Sequence, residues 1–144
     1  MRIERATAAS DELADALARL LPQLSPKASV PTPAELAELV ADPDTYVLLA
    51  RDEAEGIVGI ATLLVQRTPA GLRGAVEDVV VDEHARGHGV GEALTRVAQR
   101  LAADAGVSHV LLTSRPAREA ANRLYRRLGF EPYETNVYVW RPSP

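Results

Sequence analysis

The 144-residue chain contains no cysteine, which excludes disulfides, thiolate metal centres and cysteine nucleophiles. It has no apolar run approaching the ~18 residues that would mark a membrane-crossing helix. Its opening Met1-Arg2-Ile3-Glu4-Arg5 lacks the apolar core of a signal peptide. A cytoplasmic location is the default expectation. There is no excess of basic charge either. Lys and Arg number 16 against 20 Asp and Glu, a net charge of −4, with a pI near 5.4. That balance argues against nucleic acid as a main partner and leaves a cationic amine open as substrate. Internal repeats and low-complexity segments are also missing.

What is present is an ordinary globular composition, 47% hydrophobic and 25% charged, which is enough to bury a core within one domain over residues 1–144. Residues 3–7 read as a short strand. Ser10 or Asp11 caps a helix through residue 21, with Leu13, Leu17, Leu20 and Leu21 on one face. Residues 22–33 hold four of the ten prolines and read as a loop, with partial helix as the alternative. Thr32-Pro33-Ala34-Glu35 then signals a second helix, closed before Asp42-Pro43. Strands are expected over 46–50, 57–66 and 73–81, the first two as a hairpin. Val90, Leu94, Val97, Ala98, Leu101 and Ala105 recur at helical spacing up to Gly106. A buried-type strand over 109–113, a helix over 116–128 stopped by Gly129, and one or two strands over 130–140 complete the chain. The order β-α-α-β-β-β-α-β-α-β predicts an α/β domain, with a mixed sheet and helices on both faces.

Three segments carry chemistry. The first is Val79-Val80-Val81-Asp82-Glu83-His84-Ala85-Arg86-Gly87-His88-Gly89-Val90-Gly91. Three glycines at alternate positions let backbone amides approach a ligand, because no Cβ intervenes. A helix starting there points free N–H groups and a positive dipole end at phosphate. The turn lacks the Gly-Lys-Ser/Thr of a Walker A loop, and Glu92 stands where a dinucleotide fingerprint needs its third glycine. A packing connector is the bland alternative, disfavoured by the instability of three glycines and by the matching charge of Arg86. His88 is assigned a backbone role only.

The second segment is the helix around Asn122 and Tyr125, three apart and on one face beside a stripe of Ala117, Ala121, Leu124 and Leu128. A tyrosine beside a core stripe is usually an amphipathic rim residue. The third is Glu77-Asp78, two acids entering an apolar strand. Strict alternation puts Glu77, Val79 and Val81 on one face, and Asp78 and Val80 on the other. An acid facing a cleft and a strand end exposed to water explain the pair equally well.

Together these segments resemble the GNAT superfamily of acyl-CoA N-acyltransferases. The signature Q/R-x-x-G-x-G/A is matched by Arg86, Gly89 and Gly91, and the Asn-x-x-Tyr helix ending in Gly-Phe by Asn122, Tyr125, Gly129 and Phe130. The resemblance covers nearly the whole chain and implies a mixed, mostly antiparallel sheet flanked by helices. It implies direct transfer of acetyl from acetyl-CoA to an amine acceptor, on a small molecule or an exposed amino group, without metal and without an acyl-enzyme. Backbone amides of Arg86, Gly87, His88, Gly89, Val90 and Gly91 would hold the pyrophosphate of CoA. The Val79-Val80-Val81 strand would splay from its neighbour and pair with the pantetheine arm through Val81, while a backbone N–H near Val79 would act as an oxyanion donor. Asn122 would bond pantetheine, Tyr125 would protonate the departing thiolate, and Glu77 would serve as base through a water.

The Arg-x-x-Asn stretch of ribosomal-protein N-terminal acetylating members is absent at Leu111-Leu112-Thr113-Ser114-Arg115-Pro116, which lowers that substrate class. The alternative implied function is a catalytically silent CoA-binding sensor or interaction module. A homodimer is compatible with the resemblance, since many relatives dimerise, but no surface for it is legible.

Overall fold

The computed structural model describes residues 1–144, divided between a unit Met1–Thr113 and a unit Ser114–Pro144. The first unit holds a five-stranded sheet: β1 (Arg2–Arg5), β2 (Thr45–Asp52), β3 (Gly56–Thr68), β4 (Gly71–Val81) and β5 (Val110–Leu111), in that spatial order. The first three pairings are antiparallel and the last is parallel. The mixed, mostly antiparallel sheet expected from the sequence is therefore present.

Helices α1 (Asp11–Leu24) and α2 (Pro33–Ala41) cover one face, and α3 (Val90–Ala105) covers the other. Ser10 caps α1 by accepting from the Leu13 N–H. Thr32 and Glu35 bond each other's backbone N–H at 3.2 and 3.0 Å, a complete capping box at the start of α2. The helix expected to end at residue 21 instead runs through Pro22 to Leu24, so part of the expected loop is helical. Pro22 forfeits one intrahelical bond, a cost of about 3 kcal/mol in a helix interior. Burying Leu20 and Leu21 beside it returns roughly 1.5–3 kcal/mol each, so packing carries the helix past the proline.

The two sheet faces build two cores. Leu13, Leu17, Leu20 and Leu36 pack with Val47, Leu49, Ile60 and Val80 on one side. Val90, Leu94 and Ala98 pack with Leu48, Ala61, Leu63 and Val76 on the other. At Gly59 of β3 the helix α3 comes close to the sheet. A Cβ placed there would lie 3.0 Å from Val90 and 3.2 Å from Leu94, so the first turn of α3 rests directly on β3.

The second unit contains one helix, α4 (Glu119–Arg127), which starts three residues later than the sequence pattern suggests. Its expected stripe is also revised: Tyr125 is the buried residue, Ala121, Leu124 and Leu128 are half-buried, and Ala117 is exposed. The strands expected over 130–140 do not form. Tyr133, Val137, Tyr138, Val139 and Trp140 are exposed. Their β-branched and aromatic character favours extended backbone, but a strand needs a ladder partner, and no strand pairs with this segment.

Candidate active site

The first unit brings Glu77, Val79 to Val81 and the glycine turn onto one continuous path, from β4 to the N-terminus of α3. Along β4 the strand register changes. Thr62 pairs with Glu77 but Ile60 with Val80, so β4 carries one extra residue. Asp78 accommodates it with a φ of +51°, the only non-glycine residue at positive φ. This is a β-bulge, and it reverses which face each later side chain occupies.

The reversal is visible in the packing. Val76 joins the α3-side core, whereas Val80 joins the α1-side core, although strict alternation would put both on one side. Glu77 therefore shares the α1 face with Val80. Val79 and Val81 pack against the α3-side core. The expected grouping of Glu77 with Val79 and Val81 is incorrect, because alternation does not survive the inserted residue.

The bulge also marks where β4 loses a neighbour. The parallel ladder to β5 contains only Gly74–Val110 and Ala75–Leu111. Beyond Ala75, β4 continues for six residues, Val76 to Val81, without pairing to β5. An open strand edge of this kind accepts an extended ligand by main-chain bonding. At its far end the Val81 carbonyl accepts from Arg86 Nε at 3.0 Å. The motif arginine thus folds back on the strand it follows.

After β4, a single 3-10 turn (Glu83–Ala85) leads into the glycines. Gly87 and Gly89 both stand at φ +80°, and a Cβ on either would meet nothing within 4 Å. The space above the turn is open, and glycine is required for the left-handed backbone. Gly89 is the N-cap of α3 and offers no side-chain cap. The first intrahelical bond runs from the Ala93 N–H to the Gly89 carbonyl, so the amides of Val90, Gly91 and Glu92 precede the helical ladder. These donors and the helix dipole favour an anion. His88 Nδ1 lies 3.3 Å from the Ala85 carbonyl, which keeps its role local.

Glu77 is exposed, yet desolvation by its surroundings raises its pKa above the ordinary 4.5, and the Asp78 charge adds to the rise. A raised carboxylate pKa brings a base closer to the pH at which an ammonium must be relieved of its proton. No group of three or more His, Asp or Glu side chains is arranged to hold a metal ion.

In the second unit, Asn122 donates through Nδ2 to the Arg115 carbonyl at 3.1 Å, tying α4 to the segment before it. The Tyr125 ring meets Phe130 edge-on, 5.9 Å between centroids and 73° between planes. Gly129 at φ +94° makes the reversal that allows this contact. Burial raises the Tyr125 phenol above its ordinary 10.0, partly offset by the Arg118 charge. It is a protonated donor at neutral pH.

Sequence reasoning missed Asp82. Its side chain is 4% exposed and is held by residues 63 and 59 positions away, Arg19 and Gln23. No local pattern could reveal so distant a set of partners.

A model described as the acetyltransferase (GNAT) family matches residues 11–130. Glucosamine 6-phosphate N-acetyltransferase 1 of Oryza sativa subsp. japonica is 38% identical over 130 residues, covering 83% of this chain and 74% of the relative. Mycothiol acetyltransferase of Acidothermus cellulolyticus is 34% identical over 112 residues, and the match covers 69% of this chain but only 34% of that longer protein. Among solved structures, a putative acetyltransferase from Agrobacterium tumefaciens superposes with a TM-score of 0.82 at 26% identity, covering 98% of this chain and 100% of the other. An aminoglycoside acetyltransferase from an uncultured soil metagenomic sample, solved in complex with sisomicin, gives 0.83 at 22% identity, covering 99% and 96%. This last likeness concerns the fold alone.

Proposed function

The chain belongs to the acetyltransferase (GNAT) family, and on that premise we propose that acetyl-CoA is its donor. The enzyme transfers acetyl to an amine. The observation that carries the donor assignment is the open glycine turn at the head of α3, directly after a strand edge left free by β5. The amides around Gly89, Val90 and Gly91 fit a pyrophosphate, and the cradle is one that a side chain at Gly87 or Gly89 would fill. The free edge at Val79, Val80 and Val81 fits an amide-bearing arm. When bound, acetyl-CoA supplies the activated acyl thioester.

The chain's own residues do the rest. The cradle amides and Arg86 would hold the phosphates of bound acetyl-CoA. The N–H near Val79 would stabilise the charge that develops on the carbonyl oxygen. Glu77 takes the proton of the ammonium acceptor through a water. Tyr125 Oη gives a proton to the leaving sulfur, and Asn122 orients the arm. The family match runs from residue 11 to residue 130 across both units, which supports reading 1–144 as one catalytic domain.

The acceptor is proposed to be an amino group on a small polar molecule of the amino-sugar type. The named activities of the relatives support that class, and exposed Glu77 and Asp78 would attract a cationic amine. The test is an acceptor panel of glucosamine 6-phosphate, aminoglycosides, polyamines and peptides with acetyl-CoA, read by free-thiol release. Turnover with an amino sugar above the rest is the expected result. Preference for peptide amines would overturn the acceptor class, and no thiol release with any amine would overturn the donor.

A further inference from the structure

The entry to the glycine turn is tied down by a buried carboxylate that the catalytic reading does not use. Asp82 follows β4 directly. Its Oδ2 accepts from Arg19 Nε at 3.1 Å, and its Oδ1 accepts from Gln23 Nε2 at 3.4 Å and lies 2.9 Å from His84 Nδ1. Gln23 Oε1 in turn accepts the Glu83 N–H at 2.9 Å. The other ring nitrogen, His84 Nε2, contacts Glu55 Oε2 in the β2–β3 turn. The Asp82 backbone is fixed as well, its N–H to the Val58 carbonyl and its carbonyl to the Ala85 N–H, both at 2.8 Å. Helix α1 and the 3-10 turn therefore meet at one carboxylate, four residues before Arg86, and His84 links that carboxylate to the hairpin turn.

His84 has a carboxylate on each side of its ring. Only the imidazolium can donate from both nitrogens at once. With that proton, Arg19, His84, Asp82 and Glu55 sum to zero charge; without it the cluster carries a net negative charge. Glu83, Arg86 and His88 are the other ionisable side chains on the same segment.

We propose that Asp82 is a positioning residue for the phosphate-binding turn, and that the His84 proton completes the clamp and so makes CoA affinity pH-dependent. The inference rests on the assignment of the glycine turn to pyrophosphate. Loss of the proton both releases a tie on the turn and leaves negative charge near the site of an anion. The Glu55 hydrogen bond raises the His84 pKa above 6.5, more than desolvation lowers it, and the charges of Asp82 and Glu55 add to the rise. The clamp is therefore complete below about 6.5 and is lost as pH rises through the higher folded value.

The test is calorimetric titration of CoA into the full chain from acid to alkaline pH, for wild type, His84→Gln and Glu55→Gln. Ionisations of CoA itself are common to all three. Wild-type affinity should weaken about two- to fivefold across a break above 6.5, the size expected of partly exposed charge pairs. His84→Gln should lose that break and bind at the weak level throughout. Glu55→Gln should shift the break toward the ordinary histidine value, which a merely structural role would not do. Identical pH profiles in the three proteins would overturn the clamp and leave the pyrophosphate assignment standing. No CoA binding by the wild type at any pH would overturn both.

Discussion

Valine at Gly89 tests the phosphate cradle, because Gly106 offers the same backbone strain at the other end of α3. Gly89 stands at φ +80° and Gly106 at φ +84°, and an added Cβ would touch nothing within 4 Å at either. The cost to the free protein in both variants is thus conformational rather than steric, about 2 kcal/mol for a β-branched residue in the left-handed region. In a chain of this length that lowers Tm by roughly 6–8 °C. The two valines differ only in what they face. At Gly89 the side chain occupies the open space above the N-terminal amides of α3; at Gly106 it points from the helix C-terminus.

Thermal unfolding of the apo proteins and calorimetric titration with CoA read the two effects separately. Both variants should melt earlier by similar amounts. Gly106→Val should keep wild-type affinity for CoA, whereas Gly89→Val should lose at least about a hundredfold, the equivalent of two good charge-assisted contacts. Near-native CoA affinity in Gly89→Val would refute the cradle. Equal loss in both variants would attribute the effect to α3 stability and refute it in another way.

Tyr125→Phe removes a protonated phenol but keeps the edge-on ring contact with Phe130. CoA affinity should be retained while kcat falls by about 10²–10⁴, the usual value of a positioned acid; unchanged turnover on the best acceptor would remove Tyr125 from that role. Glu77→Gln should flatten the acidic limb of kcat/KM, which in the wild type lies above 4.5 because desolvation raises the Glu77 pKa. Ionised Glu77 beside Asp78 opposes folding at neutral pH, so the variant should not melt earlier than wild type, and a lower Tm would point to a structural role instead. Asp82→Asn should destabilise the chain by about 1–2 kcal/mol at pH 7, since it weakens a charge-assisted hydrogen bond to half-exposed Arg19. Burial pushes the Asp82 pKa up, but bonds from Arg19 and Gln23 and the His84 and Arg19 charges outweigh it and hold it below 3.8. Wild type should therefore exceed the variant above about pH 3.8 and converge with it as pH falls further, a trend that urea titrations at several pH values would confirm or deny.

Most of the element order was legible because local rules govern it. The Thr32–Glu35 box, the leucine face of α1, the left-handed glycines around α3 and the hairpin strands each depend on residues within a few positions of one another. The misreadings occur where distant contacts override those rules. Pro22 stayed helical because Leu20 and Leu21 are buried. Residues 130–140 had strand composition without a ladder partner in their unit. Tyr125 looked like a rim residue and is buried.

The sequence alone determined the chemistry available: no thiol, a turn with three alternating glycines, a tyrosine in a motif position and a carboxylate in the strand before the turn. Such features are visible because glycine spacing, helix starts and functional groups are properties of short segments. Only the tertiary structure decided how those groups are aimed. One inserted residue at Asp78 turned Val79 and Val81 to the α3 face, away from Glu77, a change that alternation cannot anticipate because it depends on pairing with β3. Likewise only folding joined Asp82 to Arg19 and Gln23 across some sixty residues of chain. Burial then gave that carboxylate a use, since a charge withdrawn from water must find partners wherever the fold delivers them.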